Sequence, residues 1–229
     1  MHVELVKTYI PGFDEILGGG LPRPGVVYLV GHAGTGKTTL CAQILYKRAK
    51  NHGEKGLYIC TSEHPSLLIS RLKSVGIEFD NLVKNNLIEV AYAIPVSEGD
   101  TVSTLLEEVL SKVETGDISN VVLDSITSLI NFLPVTKVRS ILGLLYKHIV
   151  DKRLLGILVG EISLTGNSLT AGVEEFMCDT IIKLEQYERT EGYTLRLVVL
   201  KNRVAGHSRA YYEISITDKG FEVLAPFKP

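Results

Sequence analysis

An apolar run, GVVYLV at residues 25–30, breaks into the glycine-rich octapeptide GHAGTGKT and passes directly into the helical pattern GKTTLCAQILYKRAKN at residues 36–51. The octapeptide, Gly31 to Thr38, matches G-x-x-x-x-G-K-[ST], and a buried strand before it with a helix after it is the context that gives this motif its meaning. Glycines let backbone N–H groups turn inward around phosphate oxygens. The start of the helix adds unsatisfied donors and the positive end of its dipole. Lys37 has the reach for the outer phosphates of a nucleoside triphosphate, and the Thr38 hydroxyl suits Mg2+. The expected phosphate-binding residues are therefore Gly31, His32, Ala33, Gly34, Thr35, Gly36, Lys37, Thr38 and Thr39.

The same alternation continues to residue 160. Apolar runs at 56–61, 86–91, 120–125 and 154–160 predict strands, and the patterns at 64–76, 100–114 and 136–152 predict helices. Pro65 sits near the first turn of one helix with Gly76 past its end, and Asp100 opens the next. Strands and helices in strict alternation imply right-handed crossovers and a mostly parallel sheet covered on both faces. Beyond residue 160 the pattern changes. Residues 180–202 read as two strands about a polar turn, and 211–224 as two more around TDKG, an antiparallel extension of one sheet edge. The expectation is one α/β domain over 1–229, with a lead-in at 1–24, a phosphate-loop core at 25–160 and a C-terminal sheet extension at 161–229.

A length of 229 residues with 45% hydrophobic content supports one such core. The formal charge of −2 argues against a surface that coats nucleic acid, while leaving room for a local basic patch. Cys41, Cys60 and Cys178 are far apart and form no C-x-x-C pair, which speaks against a zinc site or a disulfide framework and for a reducing compartment. The segment MHVELVKTYI has no apolar signal core, and no run is long enough to span a bilayer, so the expected location is the cytoplasm.

Two carboxylates and one basic stretch are the further candidates. Asp124 ends the apolar run NVVLD, at the carboxyl end of a predicted strand, where ligands of open parallel sheets gather. It is the candidate to hold Mg2+ with Thr38; a turn-capping acid is the plainer reading. Glu63 lies just past the strand at 56–61 and suits a water-positioning base, or equally an acid at a helix N-terminus. LKNRVAGHSR, residues 200–209, gathers Lys201, Arg203, His207 and Arg209. It reads as an anion site or as a solvated strand end, and no role follows for Arg209.

Taken in order, these segments resemble the RecA/RadA/KaiC superfamily of P-loop ATPases, and within it the KaiC-like branch that includes archaeal RadA paralogues. IPGFDEILGGGLPRPGVVYLVGHAGTGKTTL, LYICTSEHPSLLISRLKSVGIEF, NVVLDSITSL, AGVEEFMCDTIIKL and LKNRVAGH carry the resemblance over nearly the whole chain. It implies ATP with Mg2+, hydrolysis, and a homo-oligomeric ring, a hexamer among the forms it allows. It also implies that Glu63 polarises the attacking water, that Lys201 and Arg203 act on the nucleotide of a neighbouring subunit, and that His207 supports that contact. The chain departs from the pattern in having Ser62 before a single glutamate, and Glu161 where a polar donor is usual.

The implied role is an oligomeric regulator or an accessory to recombination and repair, with a recombinase or another protein as partner. Two other readings stand beside it. One is a nucleotide-state-dependent interaction module with little turnover; the other is an accessory that binds single-stranded DNA. For DNA, loops at 130–140 and 163–175 offer only Lys137 and Arg139, and helix 136–152 reads more simply as amphipathic with a solvated face. The two dozen or so residues before the first core strand leave no room for a separate DNA-binding domain, so strand exchange by this chain alone is not expected.

Overall fold

A computed structural model describes residues 2–93, 107, 109–114, 117–130, 133–162, 177–190 and 192–228. The apolar run before the phosphate loop is its central strand, β3 (Gly25–Gly31), buried along its whole length. Val27 and Leu29 enter one core; Val26, Tyr28 and Val30 enter the other. That alternation is what a strand buried on both faces requires.

Before it, β1 (Glu4–Val6) and β2 (Leu21–Arg23) form a separate antiparallel pair around the short helix α1 (Phe13–Ile16). The remaining strands are β4 (Gly56–Cys60), β5 (Ile88–Tyr92), β6 (Asn120–Asp124), β7 (Leu155–Glu161), β8 (Thr180–Arg189), β9 (Gly192–Asn202), β10 (Tyr212–Thr217) and β11 (Gly220–Pro226). With β3 they make one sheet in the order β11-β10-β9-β8-β3-β7-β6-β4-β5. All pairings from β8 to β5 are parallel, and those from β8 to β11 are antiparallel. The antiparallel extension is thus as expected, except that β8 itself joins the parallel set beside β3.

Helices cover both faces. α2 (Lys37–His52) places Leu40, Ile44 and Leu45 against the core that Val27 and Leu29 enter, with α3 (Pro65–Ser74) and α4 (Phe79–Lys84) beside it. α5 (Ile126–Ile130) and α6 (Val135–Asp151) lie on the other face, where Val138, Leu142, Leu145 and Ile149 are buried. Lys137, Arg139 and Lys147 of α6 are exposed, as a solvated face demands. In the helix expected at 100–114, residues 107 and 109–114 are helical, while Asp100 lies outside the described residues. The loop at 163–175 also lies outside them. Among the described residues no helix is long and apolar enough to cross a membrane.

Arg48 lies in the last turns of α2. Among the basic residues near the end of α2 it is buried, and its guanidinium binds Glu54, which also accepts from Arg23 and Asn120. A charge this deep persists only when paired and hydrogen-bonded.

Candidate nucleotide site

Register brings the site together. In the parallel ladders Gly31 of β3 lies opposite Glu161 of β7, and Cys60 of β4 lies opposite Asp124 of β6. The phosphate loop, both acids and the segment carrying Glu63 therefore meet at the carboxyl edge of the sheet. They border a cleft of about 340 Å3, closed on one side by Ile216 of β10.

Local backbone chemistry explains the loop. Gly36 caps α2 with φ 91°, in the left-handed region that favours glycine. A Cβ there would also overlap Ile216 Cδ1. The hydroxyl of Thr35, fully buried, donates to His32 O at 2.8 Å and closes the turn. Lys37 donates its ammonium to Gly31 O and His32 O, both at 2.8 Å. Burial pulls this ammonium below its ordinary pKa, against the opposing pull of the Glu161 and Asp124 carboxylates. It is a poorly solvated cation beside the loop, poised to gain from a phosphate.

Asp124 is buried, and Oδ2 accepts the Thr38 hydroxyl at 2.7 Å and the Tyr58 hydroxyl at 2.6 Å. Tyr58 is wholly buried on β4; burial first, then the neighbouring Asp124 charge, pushes its phenol well above the ordinary range. The phenol therefore stays a donor. Next to it, Thr61 accepts from Ser125 N–H at 2.8 Å and pairs with Ser128 Oγ at 2.6 Å, tying the ends of β4 and β6 together.

A hydroxyl and a carboxylate oxygen, both hard donors facing a phosphate loop, fit Mg2+, which usually takes one or two carboxylates plus substrate phosphates. No cluster of three or more His, Cys, Asp or Glu side chains suited to a metal exists among the described residues, so the arrangement does not resemble an all-protein cage.

Glu63 lies between β4 and α3. His64 caps α3 by accepting from Ser66 N–H, and Glu63 Oε2 instead takes an N–H of Arg71, eight residues on, at 2.9 Å. Arg71 and Ser62 line the cleft. At the end of β7, Glu161 is exposed, and its N–H donates to Thr127 Oγ1 at 2.9 Å.

LKNRVAGHSR lies elsewhere. β9 runs antiparallel to β8, so Asn202 pairs with Thr180, and Thr180 in turn pairs with Val27 near the start of β3. Lys201, Arg203 and His207 are therefore at the opposite edge of the sheet from this chain's own phosphate loop. The ladder between Thr180 and the Gly31 level spans four residues, roughly 13 Å at the usual strand rise.

Lys201 and Arg203 do not alternate along one regular strand. Leu200 interrupts the register, β9 ends at Asn202, and Arg203 stands in the bend beyond. Arg203 N–H bonds Asp179 O at 2.9 Å, and its guanidinium is 3.9 Å from Asp179 Oδ1. His207 Nε2 is buried without a hydrogen-bond partner among the described residues. Arg209 is exposed.

Sequence reasoning reached Lys37, Thr38 and Asp124 but passed over Tyr58, Arg71 and Ile216. Tyr58 and Ile216 read as ordinary strand residues, and Arg71 as a helix surface charge. Only cross-strand register puts Tyr58 on Asp124, and only the sheet order and the packing of α3 bring Ile216 and Arg71 to the cleft.

The chain is similar to known proteins over nearly its whole length. The family model for the KaiC ATPase matches residues 6–228. The circadian clock oscillator protein KaiC 1 of Synechocystis is 29% identical over 97% of this chain, which spans 44% of that protein's length. A UPF0273 protein of Thermotoga maritima is 30% identical, with 96% of each chain covered. The crystal structure of the KaiC-like protein PH0186 from Pyrococcus horikoshii OT3 matches with a TM-score of 0.86 at 30% identity, covering 97% of this chain and 100% of that one. The chain belongs to the KaiC family of ATPase domains.

Proposed function

We propose that this chain binds ATP with Mg2+ and hydrolyses it as a homo-oligomer. The observation that carries the reading is the 2.7 Å bond between Thr38 and Asp124, which joins the phosphate loop to the strand-end acid beside Lys37. Loop N–H groups and Lys37 hold the phosphates, and Thr38 and Asp124 hold the cation. When bound, Mg2+ neutralises charge on the outer phosphate oxygens. Glu63 orients the attacking water and accepts a hydrogen bond from it. Lys201 and Arg203, too far from this chain's own loop, serve the nucleotide of a neighbouring copy, in the manner of an arginine finger. A regulatory or recombination-accessory role in the cytoplasm accords with this chemistry.

The test is phosphate release from ATP with Mg2+ present. Lys37→Ala should abolish it, and Glu63→Gln should lower it at least tenfold while nucleotide binding persists. Full activity in Glu63→Gln removes that residue from the mechanism. Light scattering with and without ATP reports assembly, and Arg203→Ala should keep binding but lose turnover.

A second reading, a nucleotide-controlled interaction module with slow turnover, is favoured by the Glu63–Arg71 ion pair, which engages the water-positioning carboxylate. Tight ATP binding with turnover no faster than that of Lys37→Ala distinguishes it.

A further inference from the structure

Arg71 is absorbed by none of these roles, yet it borders the nucleotide cleft. Among the described residues two cationic side chains line that cleft, Lys37 and Arg71, and they differ in kind. Lys37 is buried and rests on the carbonyls of the loop. The Arg71 side chain is 69% exposed and is held through Nη1 by Glu63 Oε2, whose own side chain is 15% exposed. A guanidinium has five N–H donors in a planar fork, so this bond leaves most of its donor capacity for a second anion.

The end of β7 contributes Glu161, whose side chain as a carboxylate only accepts hydrogen bonds. Among the described residues, α3 supplies a donor at the rim of the cleft.

We infer that Arg71 is the residue by which this site distinguishes a nucleoside triphosphate from a diphosphate. It exchanges the Glu63 carboxylate for the γ-phosphate when a triphosphate arrives. The exchange is a trade of ion pairs with no covalent step. One charge-assisted contact moves from carboxylate to phosphate, where the fork can bind in bidentate fashion. Glu63 is then released to take the hydrogen bond of a water. One event thus reports the third phosphate and frees the carboxylate that positions the attacking water. A diphosphate leaves Arg71 on Glu63, and the catalytic carboxylate stays engaged. The inference rests on the ATP reading above and adds to it the means of selecting the nucleotide state.

The experiment measures equilibrium binding of ADP and of the non-hydrolysable triphosphate with an imido β–γ bridge, both with Mg2+, by displacement of a fluorescent nucleotide. Arg71→Gln should weaken the triphosphate about tenfold, the scale of one partly exposed charge-assisted contact, and leave ADP within about twofold. Arg71→Lys, with no fork, should fall between. Glu63→Gln should tighten the triphosphate in the wild-type background and have little effect on it in Arg71→Gln, a coupling that a double-mutant cycle reads directly.

Equal weakening of both nucleotides, or unchanged selectivity, in Arg71→Gln overturns the assignment while leaving the ATP reading intact. An equal gain from Glu63→Gln in both backgrounds assigns that gain to charge alone and overturns the exchange. A wild-type chain that takes up neither nucleotide overturns the ATP reading and this inference with it.

Discussion

Tyr58 places its hydroxyl 2.6 Å from Asp124 Oδ2, the same oxygen that accepts the Thr38 hydroxyl. Two donors on one oxygen fix the carboxylate's rotation, one from β4 and one from the start of α2. Tyr58→Phe removes the inner donor without changing the shape of the core. Loss of a buried hydrogen bond to a charged group should destabilise the fold by about 1.5–3 kcal/mol. It should also raise the Mg2+ concentration needed for nucleotide binding several-fold. Urea unfolding and a Mg2+ titration of fluorescent-nucleotide binding measure the two effects separately, and an unchanged titration removes Tyr58 from any part in orienting Asp124.

Gln43 on α2 makes a reciprocal pair with the backbone of Phe221 on β11. Its amide donates to Phe221 O at 2.8 Å, and its carbonyl accepts Phe221 N–H at 2.6 Å. This side chain substitutes for a neighbouring strand and binds the β10–β11 hairpin, with Ile216 at the cleft, to the phosphate-loop helix. Gln43→Leu keeps the bulk but leaves two buried backbone groups unpaired, at about 1–3 kcal/mol each. A loss of about 2–6 kcal/mol is expected in denaturant melts, with faster hydrogen exchange at the Phe221 amide. Exchange at wild-type rates there contradicts the coupling.

Gly18 abuts the loop that follows β9. It has φ 79°, and a Cβ there would fall on Gly206 O. The same loop is fastened by Asn202 Nδ2 to Leu17 O at 3.0 Å and by Ser208 N–H to Ile16 O at 2.9 Å. The glycine-rich lead-in is thus the seat of the segment that carries Arg203 and His207. Gly18→Ala should shift that segment and reduce turnover at least as much as Arg203→Ala, while ATP affinity at the chain's own loop stays within about twofold. Melting temperature should fall by several degrees, consistent with about 1–2 kcal/mol of backbone strain. Wild-type turnover in Gly18→Ala refutes the seat.

Glu54 sets an acid limit on stability. Burial alone would raise its pKa, but hydrogen bonds from Arg48, Arg23 and Asn120 outweigh burial and hold it below the ordinary glutamate value of 4.5. A depressed folded-state pKa means that the unfolded chain binds the proton more readily, so the stabilisation is full above pH 4.5 and lost as pH falls toward the folded value. Melting curves from pH 7 to pH 3 should show the wild type losing more stability below pH 4.5 than Glu54→Gln. The variant should start lower at pH 7, because its Arg48 is buried without its charge partner. Parallel pH profiles for the two proteins contradict this account.

Much of the site was readable along the chain because its parts are contiguous. The run of β3, the octapeptide and the start of α2 occupy consecutive residues, so Lys37 and Thr38 follow from local order alone. Asp124 was reachable because an apolar run that ends in an acid also ends at the carboxyl edge of a parallel sheet. Glu63 stood between two physical readings. The structure gives it a third feature, the contact with Arg71, which neither reading contained. The burial of Arg48, one of several basic residues near the end of α2, follows only from the position of Glu54 and Asn120.

The sequence by itself determined the layered α/β plan, the antiparallel extension and the phosphate loop. Hydrophobic period, glycine placement and strand–helix order act over a few residues and need no knowledge of distant partners. Tertiary structure alone decided that Tyr58 reaches Asp124 across 66 residues of chain, and that Gln43 grips Phe221 across 178. It also set Lys201 and Arg203 at the far edge from their own phosphate loop. Those relationships depend on register and strand direction: reversing the direction of β9 would bring LKNRVAGHSR to the cleft, and its antiparallel pairing with β8 carries it away.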